Sequence, residues 1–282
     1  MDESARVERC RNAAAFLGAA REWLLAAEAE NNLILANAEV IAATHDHPFR
    51  EPLYFAALWD EGRIAGCGVC APPDGLELTA LPPGAARLFV PSVAELHPRL
   101  AAVGGPPDAA LEFARAWARE RGGEWQMRHH WHWFRLDGVT RPRRAPPGRL
   151  RVAVVDDWPT LAAWAPRYGP EENTPVDVTG LFARLLARGA LYVWDDGGAK
   201  CVVGVSGRTR HGARIAAVYT PPEFRARGYA SNAVAATCET VLESGVRFCV
   251  LAAHREPSTQ ARIYRSVGFR PIREHFAIDL GL

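Results

Sequence analysis

Ile215, Ala216, Ala217 and Val218 form a short apolar run suited to a buried strand, and soon afterwards Ala230, Val234, Cys238, Val241 and Leu242 recur at helical spacing, with Ser244-Gly245 as a stop. The connection is Tyr219-Thr220-Pro221-Pro222-Glu223-Phe224-Arg225-Ala226-Arg227-Gly228, a basic turn ending in glycine. A strand that enters a helix through such a turn leaves the first backbone N–H groups of the helix without intrahelical partners, and the helix dipole favours an anion there. Arg225 to Ser231 are therefore expected to cradle a pyrophosphate, with two guanidinium groups beside it. Gly228 is the residue that lets the backbone approach.

The order R-x-x-G-x-A after a V-Y-T strand resembles the acyl-CoA pyrophosphate loop of the GNAT N-acetyltransferase superfamily. Downstream, Ile263-Tyr264-Arg265-Ser266-Val267-Gly268-Phe269 is similar to the family's helix-ending Y-x-x-x-G-F and precedes a strand-like Phe276 to Leu280. Between the two, Val246 to Ala252 reads as the next strand of a parallel pair, joined by the helix that such a pair requires. The resemblance covers Arg151 to Leu282 and is closest to bacterial two-domain members. It implies an α+β fold, a mixed and mostly antiparallel twisted sheet flanked by helices, with acetyl-CoA as co-substrate. Cofactor contacts are then expected from Val218, Tyr219, Thr220, Arg225, Ala226, Arg227, Gly228, Tyr229, Ala230 and Ser231. The backbone of Val218 to Thr220 would pair with pantetheine like an added strand and polarise the acyl oxygen. Relatives usually carry an Asn near the start of the helix that holds the tyrosine; here that position falls on Pro257 or Ser258.

Asp137 to Leu150, rich in Pro, Gly and Arg, separates two segments that can each be a domain. The expected division is a first domain 1–140, a linker 141–150 and an acyl-CoA-binding domain 151–282. Ala101-Ala102-Val103 matches Ala216-Ala217-Val218, and Pro106-Pro107-Asp108 matches Pro221-Pro222-Glu223, both at an offset of 115. Trp59-Asp60-Glu61-Gly62 and Trp194-Asp195-Asp196-Gly197 both suit hairpin turns. The first half thus reads as a degenerate copy of the same fold. At that offset Arg225, Arg227 and Gly228 fall on Ala110, Glu112 and Phe113, so the copy has no phosphate loop. Its expected elements are helices over 10–29 and 31–44, strands near 53–58 and 63–69, and a helix over 107–121. Its expected task is to wall off one side of the acceptor pocket and cover the sheet edge of the active half.

Thirty-three basic and 32 acidic residues leave a net charge of +1, so no global field draws the chain to nucleic acid or an anionic membrane. The first residues are charged, without an apolar signal core, and no apolar run reaches bilayer length, which points to the cytoplasm. In that compartment the six cysteines are expected as buried thiols. Cys67-Gly-Val-Cys70 sits in a strand-like segment rather than at a helix start and reads as structural. His130 and His132 share one side of a strand, but no further ligand lies near them in sequence. That segment is expected to be packing, with no metal.

Amide formation from a thioester needs a neutral amine, a polarised thioester carbonyl and an accommodated leaving thiolate, for which an acid is helpful. By resemblance Tyr264 is the acid. Glu171 and Glu172, in an apparent loop after Tyr168, would recruit the cationic amine and remove its proton; His211 and His254 rank below them. Glu223 is expected to satisfy a local N–H in a capping box. The reading is an N-acetyltransferase acting on a primary amine, expected to be a small molecule, in a monomer (an intramolecular pseudo-dimer) or a homodimer. The alternatives are a catalytically silent acyl-CoA-binding regulatory protein and a nucleotide-binding enzyme. The last lacks both G-x-x-x-x-G-K-[ST] and G-x-G-x-x-G after a strand.

Overall fold

The computed structural model describes residues 5–44, 49–50, 52–73, 75–171, 177–255 and 258–281. They form two compact units, residues 1–133 with 273–282, and residues 134–272. In chain order the elements are β1 (Arg6–Cys10), α1 (Ala13–Ala26), α2 (Asn32–Ala43), β2 (Tyr54–Asp60), β3 (Arg63–Cys70), β4 (Leu76–Leu78), α3 (Phe89–Leu96), β5 (Ala102–Gly105), α4 (Pro107–Arg121) and β6 (Trp125–Leu136). They continue as β7 (Arg149–Val152), α5 (Trp158–Glu171), α6 (Val178–Ala187), β8 (Leu191–Asp195), β9 (Ala199–Ser206), β10 (Gly212–Tyr219), α7 (Tyr229–Glu243), β11 (Phe248–His254), α8 (Thr259–Val267) and β12 (Arg270–Leu280). No helix among the described residues is long and apolar enough to cross a membrane.

Both halves read β-α-α-β-β-β-α-β-α-β, so the tandem α+β fold is present. In the first unit β1, β2, β3 and β4 pair antiparallel in turn, β4 pairs parallel with β5, and β5 pairs antiparallel with β12. In the second, β7, β8, β9 and β10 pair antiparallel in turn and β10 pairs parallel with β11. Strands carry side chains to alternate faces, and both faces are covered. On the first unit Phe16, Leu24 and Leu35 of α1 and α2 pack with Phe55 on one face, while Phe89, Phe113 and Trp117 pack with Leu58 and Leu78 on the other. In the second unit Leu161, Phe182 and Leu185 of α5 and α6 meet Val193 and Val202; Val234, Cys238 and Val241 of α7 meet Val203 and Ile215.

Three expectations change. First, the common element order matches β4 to β10, α3 to α7 and β5 to β11. The offset of 115 instead places Ala101–Val103, which runs into β5, against β10. Ala110, Glu112 and Phe113 therefore lie on α4, the counterpart of α8, and are not the remains of a loop. Second, the last ten residues join the first unit: Phe276 to Asp279 of β12 register with Gly105 to Ala102. Third, the segment 137–150 is held to the second unit. Thr140 N–H donates to the Val267 carbonyl, Asn232 Nδ2 to the Arg144 carbonyl and Trp194 Nε1 to the Pro147 carbonyl, and Arg149 already begins β7. The first helix starts at Ala13 because Arg6–Cys10 forms a strand of its own, with Asn12 accepting from Ala15 N–H as helix cap. Cys67 and Cys70 lie buried in β3 and face different cores, and all six cysteines are free thiols.

Arg151 ties the start of the second unit together. Its Nη1 and Nη2 donate to the two oxygens of Asp157 at 2.7 and 2.8 Å, and its Nε donates to Asp195 at 2.6 Å. The guanidinium holds the Asp157 carboxyl below its ordinary range, aided by the Val154 N–H. A depressed folded pKa means that the unfolded state binds the proton more readily. The stabilisation is complete above about pH 4 and is lost as pH falls through the folded value. Asp157→Asn should cost about 1–3 kcal/mol at pH 7, and denaturant titrations of the two proteins should converge in acid.

Candidate active site

β10 and β11 run together only at their start. Gly212, Ala213 and Arg214 register with Phe248, Cys249 and Val250, and no pairing follows, although β10 continues to Tyr219 and β11 to His254. On its other side β10 shifts register against β9 between Ala216 and Tyr219, and Ala217 sits at φ +53°. This is a β-bulge, which bends a strand and redirects its backbone groups. The backbone edges of β10 around Val218 and of β11 beyond Val250 are thereby left to take a partner between them. An extended chain carrying amide groups is such a partner.

The turn after β10 forms a 3-10 helix at Pro222–Phe224 and then reaches α7 through Ala226 at φ +60° and Gly228 at φ +87°. Gly228 is the N-cap of α7 and, being glycine, offers the first turn no side-chain cap. What the backbone demands of Gly228 is its left-handed angle. A Cβ there would find Asn232, Arg144 and Pro146 at 3.5–3.7 Å, ordinary contact distance. Arg225, Ala226 and Arg227 are exposed around this helix start. Arg225 Nε donates to the Thr220 carbonyl at 2.9 Å, so the same side chain that supplies charge also braces the loop. Ser231 Oγ turns back to the Gly228 carbonyl. Tyr229 is buried, and its hydroxyl donates to Asp196 at 2.6 Å, which raises its pKa. The side chain of Tyr229 thus serves the core, and only its backbone belongs to the cradle. Tyr219 is likewise turned into the core, against Trp164 and Tyr168, while Val218 and Thr220 are half-buried.

Tyr264 lies on α8 with its ring edge-on to Phe269 at 6.0 Å. The helix ends there because Gly268, at φ +110°, adopts the left-handed cap conformation. This is the physical reason for the spacing Y-x-x-x-G-F. Ser258 caps the other end of α8, its Oγ accepting from Ala261 N–H at 3.0 Å; Pro257 lies outside the described residues. Glu171 is the last residue of α5, so the helix runs further than the loop expected there, and Glu172 lies outside the described residues. Glu223 does not form the expected capping box, since Pro221 is the cap. Its carboxylate is held below its ordinary range chiefly by its own backbone N–H, and Arg167 at 3.4 Å adds to the lowering. His254 closes β11, its N–H directed at Gln260.

The matching loop of the first unit, between β4 and α3, is already filled. Glu112 of α4 accepts from the N–H of Gly84 at 2.9 Å and from that of Arg87 at 3.3 Å. Gly84 takes φ +82°. A carboxylate of the chain itself occupies backbone donors of this loop, whereas the N-cap of α7 in the second unit is a glycine with no side chain to offer. Sequence reasoning could not find this, because Glu112 approaches from an element that follows the loop by a whole strand.

Residues 207–277, from just before β10 into β12, match a family model described as FR47-like protein. No curated protein matches the chain. Among solved structures, a GCN5-related N-acetyltransferase from Sphaerobacter thermophilus is 16% identical with a TM-score of 0.56 over 99% of this chain and 96% of that one. An acetyltransferase of the GNAT family from Colwellia psychrerythraea is 9% identical with a TM-score of 0.54 over 97% and 98%. A tandem GNAT protein from the clavulanic acid biosynthesis pathway is 17% identical with a TM-score of 0.55 over 98% and 97%.

Proposed function

We propose that this chain, which has the tandem fold of the GNAT superfamily, is an N-acetyltransferase that moves an acetyl group from acetyl-CoA to a primary amine of a small molecule, working in its second unit. The observation that carries the reading is the parting of β10 and β11 after Arg214 and Val250, next to a helix start with no side-chain cap. The two together suit a ligand with an amide-bearing arm and a pyrophosphate.

In this reading the backbone of Val218 to Thr220 aligns the arm and polarises the acyl oxygen. Arg225, Arg227 and the N–H groups from Gly228 to Ser231 bind the pyrophosphate. The amine nitrogen attacks the thioester carbon and forms the C–N bond; the C–S bond breaks, and the Tyr264 hydroxyl gives its proton to the departing sulfur. The amine's proton leaves through the carboxylates at Glu171 and Glu172. An alkylamine is only about one part in 10³ neutral at pH 7, so removal of that proton is worth up to about 10³ in rate.

Incubating the chain with acetyl-CoA and a panel of amines, with thiol release as the readout, tests the reaction. Amine-dependent release is expected. Binding of acetyl-CoA without release for any amine would leave the silent regulatory reading in its place. Arg225→Ala should weaken acetyl-CoA about tenfold with kcat nearly unchanged, because it removes one charge-assisted hydrogen bond and the brace on Thr220. The same KM as the native chain would take Arg225 out of the cradle.

A further inference from the structure

β6 and β12 bring together three side chains that the proposed reaction leaves without a role. His130 and His132, two apart on β6, point to one face, as alternation along a strand requires. Glu274 of β12 comes to the same face from far along the sequence. Glu274 Oε2 stands 3.4 Å from His130 Nε2, and Oε1 stands 3.4 Å from His132 Nε2. One ligand atom from each of the three lies within 4.8 Å of the others.

The distances suit a cation between the side chains better than bonds among them. An N–H···O bond is normally about 2.7–3.2 Å long, so at 3.4 Å the contact between His132 and Glu274 is a long and weak one. Two ligands about 2.1 Å from a tetrahedral metal stand about 3.4 Å apart. His130 Nε2 is shielded from water and has no hydrogen-bond partner. Its ring is fixed by Phe276, edge-on at 4.6 Å, so the nitrogen is presented toward Glu274. Glu274 is half-exposed and opens the cluster to solvent, which gives an ion a way in and leaves room for water as a further ligand.

We infer that His130, His132 and Glu274 form a binding site for one divalent cation of the zinc class, held by two imidazole nitrogens and a carboxylate. The donor set decides the class. Two imidazoles and one carboxylate suit zinc, cobalt(II) or nickel(II), whereas magnesium and calcium call for oxygen donors throughout. The ion would clip β12 to β6 within the first unit. The site was not evident in the sequence because its third ligand comes from the far end of the chain.

The test uses the full chain freed of metal by chelator and dialysis, titrated with zinc against a chromophoric competing chelator. The native chain should take up one equivalent, and magnesium should not compete. Glu274→Gln, on a half-exposed side chain, should keep the fold by circular dichroism and bind zinc at least tenfold more weakly. Zinc should raise the melting temperature of the native chain and not that of Glu274→Gln. Cobalt(II) adds a readout that separates this site from the thiols: visible d–d bands should appear without a near-ultraviolet thiolate charge-transfer band. Equal zinc affinity in the two proteins, or a thiolate band with cobalt, would overturn the assignment.

Discussion

Gly228→Trp should abolish acetyl-CoA binding, at least a hundredfold by calorimetric titration, while the chain stays folded. Gly228 sits at φ +87°, and an L-residue there costs about 1–2 kcal/mol. That is affordable to a domain with a typical 5–15 kcal/mol of stability and should appear as a melting point lowered by a few degrees. The new Cβ meets its neighbours at 3.5 Å or more, so the helix start need not move. The indole would instead stand where the N–H groups of the first turn face outward. Stoichiometry sharpens the result. Glu112 already fills the corresponding donors of the first unit, so the native chain should bind one acetyl-CoA and the variant none. A folded variant with native affinity would place the acyl-CoA site elsewhere.

Tyr264→Phe should lower kcat about 10²-fold and leave acetyl-CoA affinity nearly unchanged. The ring's packing against Phe269 survives the change, so the helix and its Gly268 cap persist. On the proposed mechanism, the change takes away the proton for the leaving sulfur. General acids supply about 10²–10⁴, and a thiol, with a pKa of roughly 8.5, asks for the lower end of that range. The deficit should shrink for acyl donors whose thiol is more acidic. An unchanged kcat would remove Tyr264 from the chemistry.

The second unit was legible because its instructions are local. A strand, a basic turn with glycine, a helix and the Y-x-x-x-G-F ending each specify their own backbone, and β10, α7 and α8 lie where the periodicity and the glycines put them. Arg225's brace on Thr220 and Tyr229's bond to Asp196 were not legible, since each depends on side-chain direction. The duplication was readable as a fact and misread in register. Short alanine and proline matches are frequent in a chain with 21 prolines, and they aligned β5 with β10, whereas parallel pairing makes β5 the counterpart of β11. The loop expected after Tyr168 instead begins later, because α5 runs on to Glu171. Long-range partners were out of reach altogether, as with Glu112 and with Glu274.

The register of β12 with β5 also sets an order of events during synthesis. Residues 134–272, a complete unit, leave the ribosome before the strand that the first unit is missing has been made. Until then the Ala102–Gly105 edge has its hydrogen-bonding groups open on the side that β12 will cover. An open edge of that kind invites pairing with other chains. The first half of the protein is therefore translated first and finished last, and the interval between the two is when the nascent chain most needs protection.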